Sequence, residues 1–409
     1  MPEREYDLVL HGATGFVGAL TARHLVEHAP ADARIALSGR NRERLEAVAR
    51  DLGRELPLVV TDSGSEASVR ALAESAQVVV STVGPYARYG LPLVLACAAA
   101  GTSYADLTGE VLFVRESIDR AHALARETGA RIVHSAGFDS VPSDLSVRAL
   151  WERARADGAG SLTDTVLMVV GMRGGASGGT IDSLRGQIVA MRSDPSARRL
   201  AMDPFSLSDD RSAEPSGHDQ RDVVTPRRDP LLGRWVAPFF MASYNTRIVR
   251  RSNSLLDHAY GPQFRYREVM NTGKGVTAPL VAAGVTAGMG ALAGGLAFGP
   301  TRAVLDRVLP KPGTGPSEEA RERGWFKDET HTRTTSGARY VCRFSAQGDP
   351  GYAATAVMLG ESGLALAFDP LGSDGGVLTP AVAMGDALTD RLRARGFEIA
   401  VEQVSDGVG

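Results

Sequence analysis

The chain has 409 residues, 43% of them apolar and 23% charged, with a formal net charge of −3. That length predicts two or three globular domains, and the near-neutral balance gives no general pull toward nucleic acid. The two cysteines, Cys97 and Cys342, support neither a disulfide framework nor a cysteine metal site, so no metal is expected.

The opening "MPEREYDLVL" is acidic ahead of a short apolar run, the opposite of a basic export leader, so a cytoplasmic location is expected. Residues 6–12, "YDLVLHG", read as a buried strand, and "ALTARHLVEHA" has the apolar spacing of a helix packed on it. The alternation then repeats. "RIALSGR", "LPLVVTD", "AQVVVSTVG", "TSYADLTG" and "ARIVHSAG" read as strands; "RERLEAVARDLG", "ASVRALAES", "LPLVLACAAAG" and "SIDRAHALARETG" read as the intervening helices. Strands separated by helical crossovers predict a parallel sheet covered on both faces, a Rossmann-type doubly wound α/β domain over residues 1–141.

After Pro142 the rhythm changes. "LTDTVLMVVGM", "QFRYREVM" and "ARYVCRFSAQG" are longer strands with partial alternation, which predicts an inserted α+β domain over 142–371 serving substrate binding and dimerisation. Residues 193–230 lack a sustained period and read as a loop or lid, and 311–324 as a surface connection. The stretch 276–301 carries no charge and is long enough to cross a bilayer, but Ala and Gly dominate it and Pro279 interrupts it. A buried or interfacial hairpin, or a peripheral contact at the inner face of the cell membrane, is expected in preference to spanning. Residues 372–409 are expected to return to the first domain as a helix and a strand.

Three glycines, Gly12, Gly15 and Gly18, follow the first strand directly. With Ala13, Thr14, Phe16 and Val17 they form a G-x-x-G-x-x-G loop between a strand and a helix, the context in which backbone amides cradle a dinucleotide pyrophosphate. Where an NAD site places an acid at the end of the second strand, this chain has Ser38 and Arg40, with Arg44 nearby; these point to a 2′-phosphate and to NADP(H). Asp62 closes the third strand and either touches adenine or caps the next turn. Val83, Gly84 and Pro85 leave the fourth strand at its carboxyl end, with Tyr86 facing the expected nicotinamide pocket.

Short-chain reductases pair a Tyr with a Lys four positions later, and none of the lysines, Lys274, Lys311 and Lys327, stands in that relation to a tyrosine. Reduction of a double bond conjugated to a carbonyl needs a hydrogen-bond donor to the oxygen and a proton source. Tyr86 is the candidate donor, and Asp106, Glu110 and Asp139, at or after strand ends, are candidate acids. In "GGASGGT", Ser177, Gly178, Gly179 and Thr180 open a helix whose amides either receive a substrate oxygen or are simply capped.

Taken together, "HGATGFVG", "SGR", "STVGPYARYG", "SYADLTGE" and "HSAGFDSVPSDL" resemble the saccharopine dehydrogenase-like oxidoreductases, above all their actinobacterial trans-acting enoyl reductase branch. The likeness recurs at "GGASGGTIDS", "GDPGYAATA" and "GGVLTPA". It implies NADP(H) at the glycine loop, a discontinuous first domain, and reduction of an enoyl group in an acyl-thioester intermediate of polyketide or lipid synthesis, delivered by a polyketide synthase. Two other readings stay open: a non-catalytic, membrane-associated NADP-binding scaffold, and a saccharopine-type amino acid dehydrogenase.

Overall fold

The computed structural model describes residues 4–174, 178–214, 220–298, 300–301 and 313–404. The first sheet contains β1 (Tyr6–His11), β2 (Ile35–Gly39), β3 (Leu58–Val60), β4 (Ala76–Ser81), β5 (Ser103–Asp106) and β6 (Arg131–Val133). All its pairings are parallel, in the lateral order β3-β2-β1-β4-β5-β6. A sheet covered on both faces buries successive side chains, so Leu8, Val9 and Leu10 of β1 are all excluded from solvent. The strand order turns back on itself between β1 and β4, which opens a crevice at the carboxyl ends of the strands.

The second sheet holds β7 (Leu162–Arg173), β8 (Arg227–Arg228), β9 (Trp235–Pro238), β10 (Arg265–Asn271), β11 (Trp325–Thr334) and β12 (Arg339–Gln347). Only β7 and β10 pair in parallel; the other pairings are antiparallel, so the sheet is mixed. Alternate residues of β11, Phe326, Asp328, Thr330 and Thr332, are buried, and the helix Val141–Ala156 packs on this sheet after leaving β6.

Four expectations need correction. The helix Ala353–Phe368, assigned by a boundary at 371 to the inserted domain, lies across β1, β4 and β5 and against the helix Phe16–His28. It is apolar around its circumference and therefore needs cover on every side. A side-chain carbon at Gly363 would come within 2.6 Å of Val80, and one at Gly360 within 2.5 Å of His24.

The C-terminal segment divides. β13 (Gly376–Leu378) pairs in parallel with β6 in the first sheet, whereas β14 (Glu398–Val404) pairs with β12 in the second. Between them the helix Gly385–Ala394 packs against Ala353–Phe368. Glu361 joins these pieces, accepting from His24 at 2.8 Å and lying 3.1 Å from Arg391 and 3.2 Å from Arg395. Burial alone would raise its carboxyl, but His24 and Arg391 hold it below the ordinary range.

Residues 193–230 are not a detached lid. Within them Phe205, Leu207, Val223 and Asp229 are buried, and backbone carbonyls at Pro204 and Leu207 accept from Arg250 and Arg251 of the helix Ala242–Leu255. Finally, the uncharged stretch is one continuous helix, Ala278–Ala297, rather than a hairpin. Among the described residues it is the one helix long and apolar enough to cross a membrane, and most of it faces outward.

Candidate active site

The glycine loop lies in the crevice, and each glycine has a different task there. Gly12 has φ +90°, a conformation side chains rarely adopt, and a side-chain carbon on it would meet Thr82 at 2.6 Å. Gly18 permits the tightest approach: a carbon there would sit 2.1 Å from the Gly12 carbonyl oxygen. Gly15 is the N-cap of Phe16–His28 and contributes no capping side chain, so the amides of Phe16, Val17 and Gly18 have no acceptor one turn back. Ala13 faces inward instead, its amide donating to the Ser38 carbonyl at 3.2 Å.

Arg40 is exposed immediately beyond β2, and Arg44 reaches the Thr14 carbonyl at 3.4 Å, so both cations stand beside the loop. Ser38 does not join them. It is fully buried, and its hydroxyl donates to Thr61 at 3.0 Å while lying 3.0 Å from His11 Nδ1. Every residue of β2 is buried, because the sheet is covered on both faces, so Ser38 lies inside it while Arg40 follows the end of the strand. Burial, with the Arg40 charge, lowers the His11 pKa to about 4 and keeps that ring neutral. Asp62 caps a local turn, accepting from the Gly64 amide at 3.0 Å.

Beyond β4 the chain bends through Val83, Gly84 and Pro85 into the helix Tyr86–Ala100, and Val83 lies against the space above Gly12. Tyr86 is not a free donor. Its hydroxyl donates to the Ser81 carbonyl at 3.1 Å and accepts from the Leu107 amide at 3.2 Å, bracing the ends of β4 and β5. Asp106 is likewise spent: fully buried, it accepts from the Thr108 amide at 3.0 Å and lies 2.8 Å from His134 Nδ1. Glu110 caps the neighbouring helix, accepting from the amides of Tyr86 at 3.1 Å and Ala87 at 2.8 Å.

Between the glycine loop and the second sheet lies a cavity of about 410 Å³. One wall is Gly15–Gly18 with Gly84, Pro85 and the Tyr86 ring; the opposite wall carries Phe138, Met172, Leu184, Phe240 and Met241. Gly178, Gly179 and Thr180 also face it, at the start of the helix Gly178–Ser193, while Ser177 lies outside the described residues. The only charged side chains on the wall, among the described residues, are Asp139 and Asp182.

Asp139 is half-buried there, and burial pushes its pKa up to about 7, with the nearby Asp106 carboxylate adding to the rise. Of the three acids the strand ends suggest, it alone lines the cavity and has a proton to give near neutrality. Tyr244, which sequence reasoning missed, also lines the wall; its hydroxyl bonds to Ser135, a residue with φ +61°. No short motif marks Tyr244, because it arrives from the helix Ala242–Leu255, far along the chain.

Against known proteins, no family model matches the chain. A Mycobacterium ulcerans trans-acting enoyl reductase is 51% identical over 98% of this chain and 99% of its own length. A Mycobacterium bovis protein of the same name is 49% identical with the same coverage. A Mycobacterium tuberculosis relative that bears the name provisionally is 54% identical, again over 98% of this chain and 99% of its own. Among solved structures, saccharopine dehydrogenase (L-Glu forming) from Saccharomyces cerevisiae shares the fold, with a TM-score of 0.54 at 11% identity over 97% of this chain and 99% of that one.

Proposed function

The chain belongs to the trans-acting enoyl reductases, a family of oxidoreductases, and from that premise we propose that it uses NADPH to reduce the enoyl double bond of an apolar acyl thioester carried by a polyketide synthase. The observation that carries this reading is the makeup of the cavity wall: an uncapped helix start, an apolar face and a protonatable Asp139, with no cation among its described residues. A saccharopine-type substrate bears carboxylates that need cationic partners. Neither Asp139 nor Asp182, the acids on that wall, can serve as one.

A dinucleotide suits the loop, because glycine at Gly12 and Gly18 lets the start of Phe16–His28 lie directly against the turn after β1, with its amides at the crevice. The amides of Phe16, Val17 and Gly18 would hold the pyrophosphate, with Arg40 and Arg44 on the 2′-phosphate. When bound, the nicotinamide supplies a hydride.

This chain's own groups do the rest. Reduction adds the hydride to the β-carbon of the enoyl thioester, and the electron pair of the double bond moves onto the carbonyl oxygen. The Gly179 amide at the start of Gly178–Ser193 would steady that oxygen, its neighbour Gly178 already donating to the Tyr352 hydroxyl at 3.4 Å. Asp139 gives its proton to the α-carbon, is left as a carboxylate, and regains a proton from water. The apolar wall of Phe138, Met172 and Phe240 holds the acyl chain and excludes water.

The test is to mix the purified protein with NADPH and enoyl thioesters of graded chain length, free or on the carrier domain of a synthase, and follow cofactor oxidation. Oxidation that rises with chain length supports the proposal. Cofactor binding without oxidation by any of them would leave the scaffold reading, and oxidation only with an amino acid and an oxo acid would favour the amino acid dehydrogenase.

A further inference from the structure

The helix Ala278–Ala297 presents an uncommon surface. It contains no charged residue, and its one polar side chain, Thr286, spends its hydroxyl on the Ala282 carbonyl at 2.8 Å. Only Ala278, Ala282 and Leu296 along it are buried, whereas Val276 is 95% exposed, Leu280 75% and Phe298 66%. We propose that this helix docks the protein on a lipid bilayer, lying flat in one leaflet beside the cavity.

Three observations favour lipid over a protein partner. The first is the lack of a polar face. A helix that meets another protein carries an apolar stripe edged by polar residues, while one that is apolar all round is satisfied by a core or by hydrocarbon. Here no core covers it. The second is that both ends are held to the same body. Ala278 and Ala282 are buried at one end, Leu296 at the other, and Arg192 donates to the Ala297 carbonyl. A helix pinned at both ends lies along a surface and does not cross it.

The third is charge. Lys274 is exposed in the loop leading into the helix, Arg192 stands at its far end, and the next helix, Pro195–Met202, presents Arg198 and Arg199. Nearby acids are engaged, Asp194 in capping and Asp203 with Arg211. An anionic leaflet attracts such a border. The placement also has a use, because Ala278–Ala297 packs on Gly178–Ser193, whose first turns line the cavity.

The full-length protein is to be sedimented with vesicles of phosphatidylcholine alone and of phosphatidylcholine with phosphatidylglycerol. Wild type is expected to pellet with the mixed vesicles and far less with the neutral ones. Leu280→Glu/Val281→Glu, at two exposed positions, is expected to lower the bound fraction at least about tenfold with NADPH binding unchanged. Should that variant misfold, Phe298→Trp reports without disruption: brominated lipid should quench more fluorescence than in wild type.

Wild type that stays in solution with both vesicles overturns the proposal. So does light scattering that shows a dimer which Leu280→Glu/Val281→Glu splits while vesicle binding is absent, since the face then belongs to a second copy. Neither readout involves turnover, so failure here leaves the reductase proposal standing, and the converse holds as well.

Discussion

Replacing Asp139 with Asn removes the proton while keeping the shape. Burial moves this carboxyl from 3.8 to about 7, and at about 1.4 kcal/mol per unit the cost of ionising it in place is at most about 4 kcal/mol. Because the side chain is only half-buried, solvent reduces that to roughly 2 kcal/mol. The folded chain holds the proton over a range where the unfolded chain has lost it, so stability falls as pH rises from about 4 to about 7 and stays lower above. Asp139→Asn should therefore be more stable than wild type by roughly 2 kcal/mol near pH 8, and little different near pH 4, by urea unfolding. Turnover should move the other way, dropping about 10²- to 10⁴-fold with cofactor affinity unchanged. In wild type kcat should decline above about pH 7 as the acid ionises, and the variant should lose that limb. An Asn variant that turns over within about threefold of wild type and keeps the alkaline decline would refute the assignment.

Arg40→Asp should cut the preference for NADPH over NADH at least about tenfold in isothermal titration, by removing a cation from the 2′-phosphate and offering an acceptor to a ribose hydroxyl. Gly18→Ala should weaken NADPH binding at least about tenfold, because the added carbon would lie 2.1 Å from the Gly12 carbonyl and force the helix off the loop. Glu361→Ala should cost about 3 kcal/mol in urea unfolding near neutrality by taking the shared acceptor from His24 and Arg395, while Arg391 keeps Asp369. Since the Glu361 carboxyl is held below its usual value, the stability it confers is present near neutrality and lost as pH falls through the acid range; the gap between variant and wild type should close there.

The parts of this molecule written in short stretches are legible in the sequence. The glycine loop and the alternation of helices with the first six strands depend on neighbours within about thirty residues, where period and turn chemistry act. What escapes is set by distant partners. Tyr86 looks like a donor until the Ser81 carbonyl and the Leu107 amide claim its hydroxyl, and Glu110 looks like an acid until it caps a helix more than twenty residues earlier. Ser38 reads as part of the surface turn that carries Arg40 until a sheet covered on both faces buries the whole of β2. Asp139 is separated from equally plausible acids only by the wall it lines, and Tyr244 has no local mark at all. The helix Ala353–Phe368 has a buried helix's composition, but composition does not name the sheet that buries it.

That last helix bears on how the chain comes off the ribosome. Its residues begin only at 353, yet they shield β1, β4 and β5, all of which are made by residue 106. A nascent or excised segment ending near residue 141 would show one greasy flank of its sheet to solvent, inviting chaperones or aggregation. Native closure of the first sheet must wait until residue 368 has been made.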